Sequence, residues 1–212
     1  MNIITKFLLP CILLVTGIAH AKWPMSNDPA FDPAVQNPAY AESTGPRVLL
    51  DGAHHNFFIQ WDFIEPFASL ARADGYRPVI GEEAFTQEYL AGFDIVVIIT
   101  ALPFDFTTRT EVTTESTFTK DEISALHDWV DAGGSLLVFS EHAPFDRAIN
   151  PLLQRFGLTS SVGTVVDSEH FDSSLGRPGR SVFSRENGLW NSERAGIRGR
   201  KVWVAINGVG SC

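Results

Sequence analysis

The chain has 212 residues, 44% hydrophobic and 19% charged, with 16 Lys and Arg against 25 Asp and Glu for a net charge of −9. That balance suits one globular domain and argues against a nonspecific nucleic-acid or anionic-membrane surface. The two cysteines, Cys11 and Cys212, lie near opposite ends of the chain, which excludes a structural zinc site of the cysteine type.

Residues 1–21, MNIITKFLLPCILLVTGIAHA, read as a secretory signal. Lys6 closes a basic start, an apolar stretch runs from Phe7 to Ala19, and Ala19-His20-Ala21 is a small-x-small cleavage site before Lys22. Roughly 13 apolar residues, broken by Pro10, fall short of the about 20 needed to span a bilayer. The expectation is a periplasmic or secreted protein with no membrane span in the mature chain and no internal disulfide, because Cys11 leaves with the signal. Residues 22–46 hold prolines at 24, 29, 33, 38 and 46, too closely spaced for a helix or strand, and predict an extended N-terminal arm that tethers the domain or lies across it.

From Arg47 the pattern changes. RVLL (47–50) predicts a strand, and Phe63, Phe67, Leu70 and Ala71 share a helical face that starts at Pro66 and stops at Gly75. YRPVI (76–80) predicts a second strand, 82–91 a polar loop with a short helix, and DIVVIITAL (94–102) a strand buried on both faces. The Thr-rich stretch 106–118 predicts a surface loop. Thr119 and Glu122 stand at capping-box spacing before a helical stripe of Ile123, Leu126 and Val130, which Gly133-Gly134 ends. SLLVFS (135–140), a helix over 147–156 and SVGTVV (161–166) continue the alternation, which predicts a mainly parallel sheet with helices on both faces.

In such a sheet ligands bind beyond the carboxyl ends of the strands. Asp51, His54, His55 and Asn56 follow the first predicted strand, Leu102 to Asp105 the third, Glu141, His142 and Asp146 the fourth, and Asp167, Glu169 and His170 the fifth. Three chemistries fit this set. Asp51, His54 or His55, His142 and Asp167 have the donor atoms for a divalent metal, although no tight ligand spacing accompanies them. Glu141 or His142 suits proton transfer to a bound substrate. Alternatively, His142 and Asp51 hydrogen-bond loop backbone and fix the strand ends. Ser140 at a strand end is a weak nucleophile elbow, since no glycine flanks it. No Gly-rich phosphate loop of the GxGxxG or GxxxxGK type follows any strand, and no residue points to a particular cofactor.

The segments VLLDGAHHNFF, ARADGY, FDIVVIITAL, FTKDEISALHDWVDAGGSLLVFSEHAPF and VFSRENGL resemble a family of secreted bacterial proteins whose domain is similar to class I glutamine amidotransferases and the ThuA group. The resemblance covers residues 47–189 and implies a flavodoxin-like, three-layer α/β fold with sheet order 2-1-3-4-5. It also implies loss of the amidotransferase nucleophile, because Glu141-His142 occupies the turn where a Gly-x-Cys-x-Gly elbow is expected. The function this suggests is binding of a small polar ligand or a periplasmic protein, with Asp51, His54, His55, Asn56 and Asp146 as ligand-binding residues. The alternative is a hydrolase or metal-assisted enzyme on sugar-like or cell-wall material, with Glu141 and His142 as acid and base. Residues 190–212 depart from the family pattern, with four basic residues and one acid, and suggest a truncated or frame-altered terminus in which KVWVAI (201–206) retains the alternation of a strand.

Overall fold

The computed structural model describes residues 27–108 and 114–160 and, as backbone, Val202–Ile206. The leader, the stretch 161–166 and the residues Asp167, Glu169 and His170 lie outside the described residues, as does the tail apart from 202–206.

Five parallel strands form one sheet: β1 (Arg47–Asp51), β2 (Arg77–Gly81), β3 (Ile95–Ile99), β4 (Ser135–Ser140) and β5 (Val202–Ile206), in the order β2-β1-β3-β4-β5. The strand beside β4 is therefore the one drawn from the atypical C-terminal region, with Leu136 opposite Val202 and Ser140 opposite Ile206. Each parallel neighbour requires a crossover, and the described parts of the crossovers carry the helices α1 (Phe57–Gln60), α2 (Glu65–Ala73), α3 (Gln87–Leu90), α4 (Lys120–Asp131), α5 (Phe145–Ala148) and α6 (Asn150–Arg155).

Alternation along the strands divides the core between the two faces of the sheet. Leu49, Val96, Ile98, Leu136 and Val138 point to one side, where Leu90 of α3, Leu126 and Trp129 of α4, and Leu152 and Leu153 of α6 cover them. Val48, Leu50 and Val97 point to the other, against Ile64 and the α2 residues Phe67 and Ala68. Helices thus pack on both faces, and the central strands read as unbroken aliphatic runs for that reason. Each buried Leu or Ile contributes about 1.5–3 kcal/mol relative to exposure.

Local signals set the helix ends. The helix expected to start at Pro66 is α2, which has that proline in its first turn, where its missing N–H costs nothing, and a short separate helix, α1, precedes it. The helix expected over 147–156 divides into α5 and α6, the second opening with Pro151 in its first turn. In α4 the capping box is complete: Thr119 accepts from the Glu122 N–H, and the Glu122 carboxylate accepts from the Thr119 N–H. Gly134 ends α4 under the Trp129 indole, where an added Cβ would stand 2.4 Å from the ring.

The arm contains neither helix nor strand over 27–46 and lies on the turn between α2 and β2. Ala39 N–H donates to Asp74 Oδ1 at 2.7 Å, Gly45 N–H to the Gly75 carbonyl at 2.9 Å, and the Tyr40 ring meets Tyr76 edge-on at 5.1 Å. Gly75, at φ 88°, has the Tyr40 carbonyl where a side chain would begin, so the residue that stops α2 also seats the arm.

Candidate functional site at the strand ends

The loop after β1 carries a buried ionic network. His54 Nδ1–H donates to Asp51 Oδ1 and Nε2–H to Glu122 Oε1, both at 2.8 Å. Asp51 is 1% exposed, and its second oxygen accepts from Asn56 Nδ2 at 2.8 Å. The Asn56 carbonyl oxygen accepts from Ile99 N–H at 2.6 Å, which locks the end of β3 to the loop. Glu122 accepts in addition from Phe85 N–H at 3.3 Å and from Thr119 Oγ1 at 2.8 Å. The imidazole lies between the rings of Phe85 and Phe118, at 4.8 and 4.6 Å.

Electrostatics follows from this geometry. Burial opposes charge on His54, but the hydrogen bonds and negative charges of Asp51 and Glu122 overcome it and raise its pKa above the ordinary 6.5. Burial likewise opposes charge on Glu122, while Thr119 and His54 hold its carboxyl below the ordinary 4.5. The group is an imidazolium between two carboxylates, with every hydrogen-bonding atom of the imidazole engaged. Both ring nitrogens are engaged with carboxylates, and among the described residues no group of three His, Cys, Asp or Glu side chains is arranged to hold a metal ion. Asp51, His54 and Asn56 therefore meet in one cluster, as a structural tie between β1, β3 and α4.

The turn after β4 is built differently. Ser140 ends the strand at 2% exposure, and Asp146 in α5 is also 2% exposed. Asp146 Oδ1 accepts from Arg147 N–H at 2.8 Å, whereas Asp146 Oδ2 and Ser140 Oγ have no hydrogen-bond partner among the described residues. Between them, Glu141 is largely buried, and desolvation raises its carboxyl above the ordinary 4.5, with the His142 charge offsetting only part of that. His142 is turned outward, its side chain 42% exposed; Nδ1–H donates to the Ala143 carbonyl at 2.7 Å and Nε2 lies 3.9 Å from Glu141 Oε2.

His55 separates from His54. Its ring is half-buried, with Gln60 Nε2 at 3.4 Å from Nδ1, and its nearness to Asp105 adds to the Thr107 hydrogen bonds that hold that carboxyl below its ordinary value. Among the described residues no hydrogen bond or ring contact joins His142 to His54 or His55. The loops meet through aromatic rings instead: Phe57, next to Asn56, lies 6.3 Å from Phe145, next to Asp146, and Phe106 from the third loop lies 5.6 Å from each. His142 meets the Phe145 edge at 6.2 Å. Backbone bonds reinforce the junction, with Leu102 N–H donating to the His54 carbonyl at 3.0 Å and Thr117 N–H to the Ala148 carbonyl at 3.0 Å.

Two residues of this rim adopt left-handed backbone, His55 at φ 44° and Thr100 at φ 50°. For a β-branched residue such as Thr100 this costs on the order of 1–3 kcal/mol, supplied by the surrounding bonds. Sequence reading missed Thr100, the aromatic junction and the pairing of Glu122 with His54. Glu122 announced itself only as a capping residue, and its partner stands 68 positions away.

No protein-family model matches the chain, and no curated protein matches it. Among solved structures it is similar to one described as the mmIFT52 N-terminal domain, at 19% identity, covering 59% of this chain and 50% of that one, with a TM-score of 0.41. It is also similar to a ThuA-like protein from Bacteroides uniformis, at 18% identity, covering 57% and 40%, with a TM-score of 0.31. The chain spans half the length of the first and two fifths of the second.

Proposed function

We propose that this chain is an exported α/β domain of flavodoxin-like, three-layer, amidotransferase-like architecture that binds a small polar ligand at the carboxyl rim of its sheet. The reading of binding rests on one observation: Asp146 Oδ2 and Ser140 Oγ are buried on one short segment and carry no partner among the described residues. Buried polar atoms are nearly always paired, and an exception at the mouth of a parallel sheet marks a place for an incoming group. Amidotransfer is not part of the proposal, since Ser140-Glu141-His142 stands at the turn where a cysteine would be needed. Export rests on the leader alone, and the N-terminal sequence of protein recovered from the producing cell tests it: Lys22 is the expected first residue.

A second reading has its own observation. Burial raises the Glu141 pKa, as suits a general acid, and the His142 imidazole is its neighbour, with Nε2 3.9 Å from Oε2, beyond direct hydrogen-bond reach. On that reading the protein hydrolyses sugar-like or cell-wall material. Incubation with soluble sugars and cell-wall fragments, followed by thermal shift and by mass spectrometry of the fragments, separates the two. Binding without turnover, weakened by Ser140→Ala, is the expected result. Turnover abolished by Glu141→Gln would replace it with the hydrolase reading, and neither binding nor turnover would remove both.

A further inference from the structure

We infer that the hollow beside α3 is a second binding site and takes a small zwitterion, a free amino acid whose carboxylate meets Arg47 and whose ammonium meets Glu83 and Glu88. None of these residues belongs to the rim described above, so the inference stands apart from the binding proposed there.

A hollow of about 480 Å³ opens among Arg47, Glu83, Glu88, Tyr89, Gly92 and Phe93, within the about 300–1,000 Å³ usual for small-molecule sites. Its residues come together because β1 and β3 start side by side, with Val48 opposite Ile95. Asp94, just before β3, accepts from the Arg47 N–H through Oδ2 at 2.8 Å and donates its own N–H to the Arg47 carbonyl at 3.0 Å. That clamp fixes the main chain of Arg47, and the guanidinium lies over the Phe93 ring at 4.8 Å. Tyr89 meets Phe93 edge-on at 5.4 Å, and its hydroxyl stands against Gly81, where a side chain would collide with it.

The charges set the ligand class. A guanidinium in a protein is always positive, and its planar fork of N–H donors matches a carboxylate. Arg47 rests on a ring instead, and among the described residues its side chain has no hydrogen bond or ion pair. Glu83 and Glu88 line the same hollow and have none either. Opposite charges that border one space without touching suit a molecule that carries both signs. A plain anion meets two glutamates there, and a plain cation meets the guanidinium. Burial and the charge of Glu83 raise the Tyr89 pKa, with Arg47 opposing them, so the hydroxyl keeps its proton as a donor.

The test uses the full chain and three matched sets: free amino acids with small and with bulky side chains, their carboxamides, which keep only the ammonium, and their N-acetyl derivatives, which keep only the carboxylate. Affinity is read by titration calorimetry, and the place of binding by amide chemical shifts at Gly92 and Phe93 against those at Ser140 and Asp146. The expected result is at least one free amino acid that binds about fivefold or more tighter than either counterpart and shifts Gly92 and Phe93. Arg47→Gln is expected to weaken it about fivefold or more. In Glu83→Gln/Glu88→Gln the preference turns, and the N-acetyl derivative binds as well as the free amino acid or better. All three side chains are exposed, so both variants are expected to melt close to wild type. Absence of amino-acid binding, or wild-type affinity in both variants, overturns the site. Equal binding of either counterpart by wild type overturns the zwitterion. Shifts confined to Ser140 and Asp146 would put the ligand at the rim, which overturns this inference and favours the earlier one.

Discussion

The loop after β1 and the turn after β4 each bury acidic groups at the rim of the same sheet, yet they solve the problem in opposite ways. Around His54 every carboxylate oxygen that is drawn in finds a donor, from Asn56, Ala53, Phe85, Thr119 or the imidazolium itself. Around Asp146 one oxygen is served and the other is not. A satisfied network holds elements together, and an unsatisfied one at a strand-end rim is where the proposed ligand would find its partners. On the binding proposed above, the histidine that the sequence made most prominent serves the structure, and recognition falls to a quieter segment.

The comparison is broken most severely by removing the imidazolium. His54→Ala leaves Asp51 and Glu122 facing each other uncompensated in a buried site, and a loss of about 3–5 kcal/mol is expected in denaturant unfolding. The pH dependence follows the same group. The folded-state pKa of His54 lies above its ordinary 6.5, so its contribution is complete below about pH 6.5 and is lost as pH rises through the folded value. Glu122 lies below its ordinary 4.5, so its contribution is present above that and is lost as pH falls through the folded value. The stability gap between wild type and His54→Ala is therefore widest between these limits and narrows on the alkaline side.

Asn56→Ala comes next. It orphans Asp51 Oδ2 and the Ile99 N–H, each worth about 1–3 kcal/mol when buried, and it is expected to expose the Ile99 amide to faster hydrogen exchange. Thr119→Ala removes the cap of α4 and one donor to Glu122, with an expected loss of about 1 kcal/mol by thermal unfolding. Ser140→Ala is the smallest, within about 0.5 kcal/mol of wild type, because the hydroxyl has no partner to lose. A loss as large as that of Asn56→Ala would erase the distinction between the two regions.

Much of the scaffold was legible in the chain. Unbroken runs such as Ile95–Ile99 announce strands buried on both faces, and Thr119 with Glu122 announces the start of α4, because those are local consequences of burial and of unpaired helix amides. Pro66 likewise announced the start of α2, whereas the break between α5 and α6 was less visible, since apolar residues continue across it. The candidate site was legible only as a set of strand-end residues. Sorting that set into a buried tie and a rim depended on Glu122 reaching His54 and on Phe57, Phe106 and Phe145 meeting from three loops. Those contacts join positions dozens of residues apart, and periodicity carries no record of them. The strand beside β4 taught a related lesson: alternation in KVWVAI recorded a pairing that its unusual surroundings obscured.

The most direct measurement is the unfolding free energy of the double variant Ser140→Ala/Asp146→Asn beside wild type, without ligand. If the turn after β4 keeps its polar atoms for a guest, the double variant is as stable as wild type or more so. A loss of more than about 1 kcal/mol would mean that these atoms already serve the fold, and the contrast between the two regions would not stand.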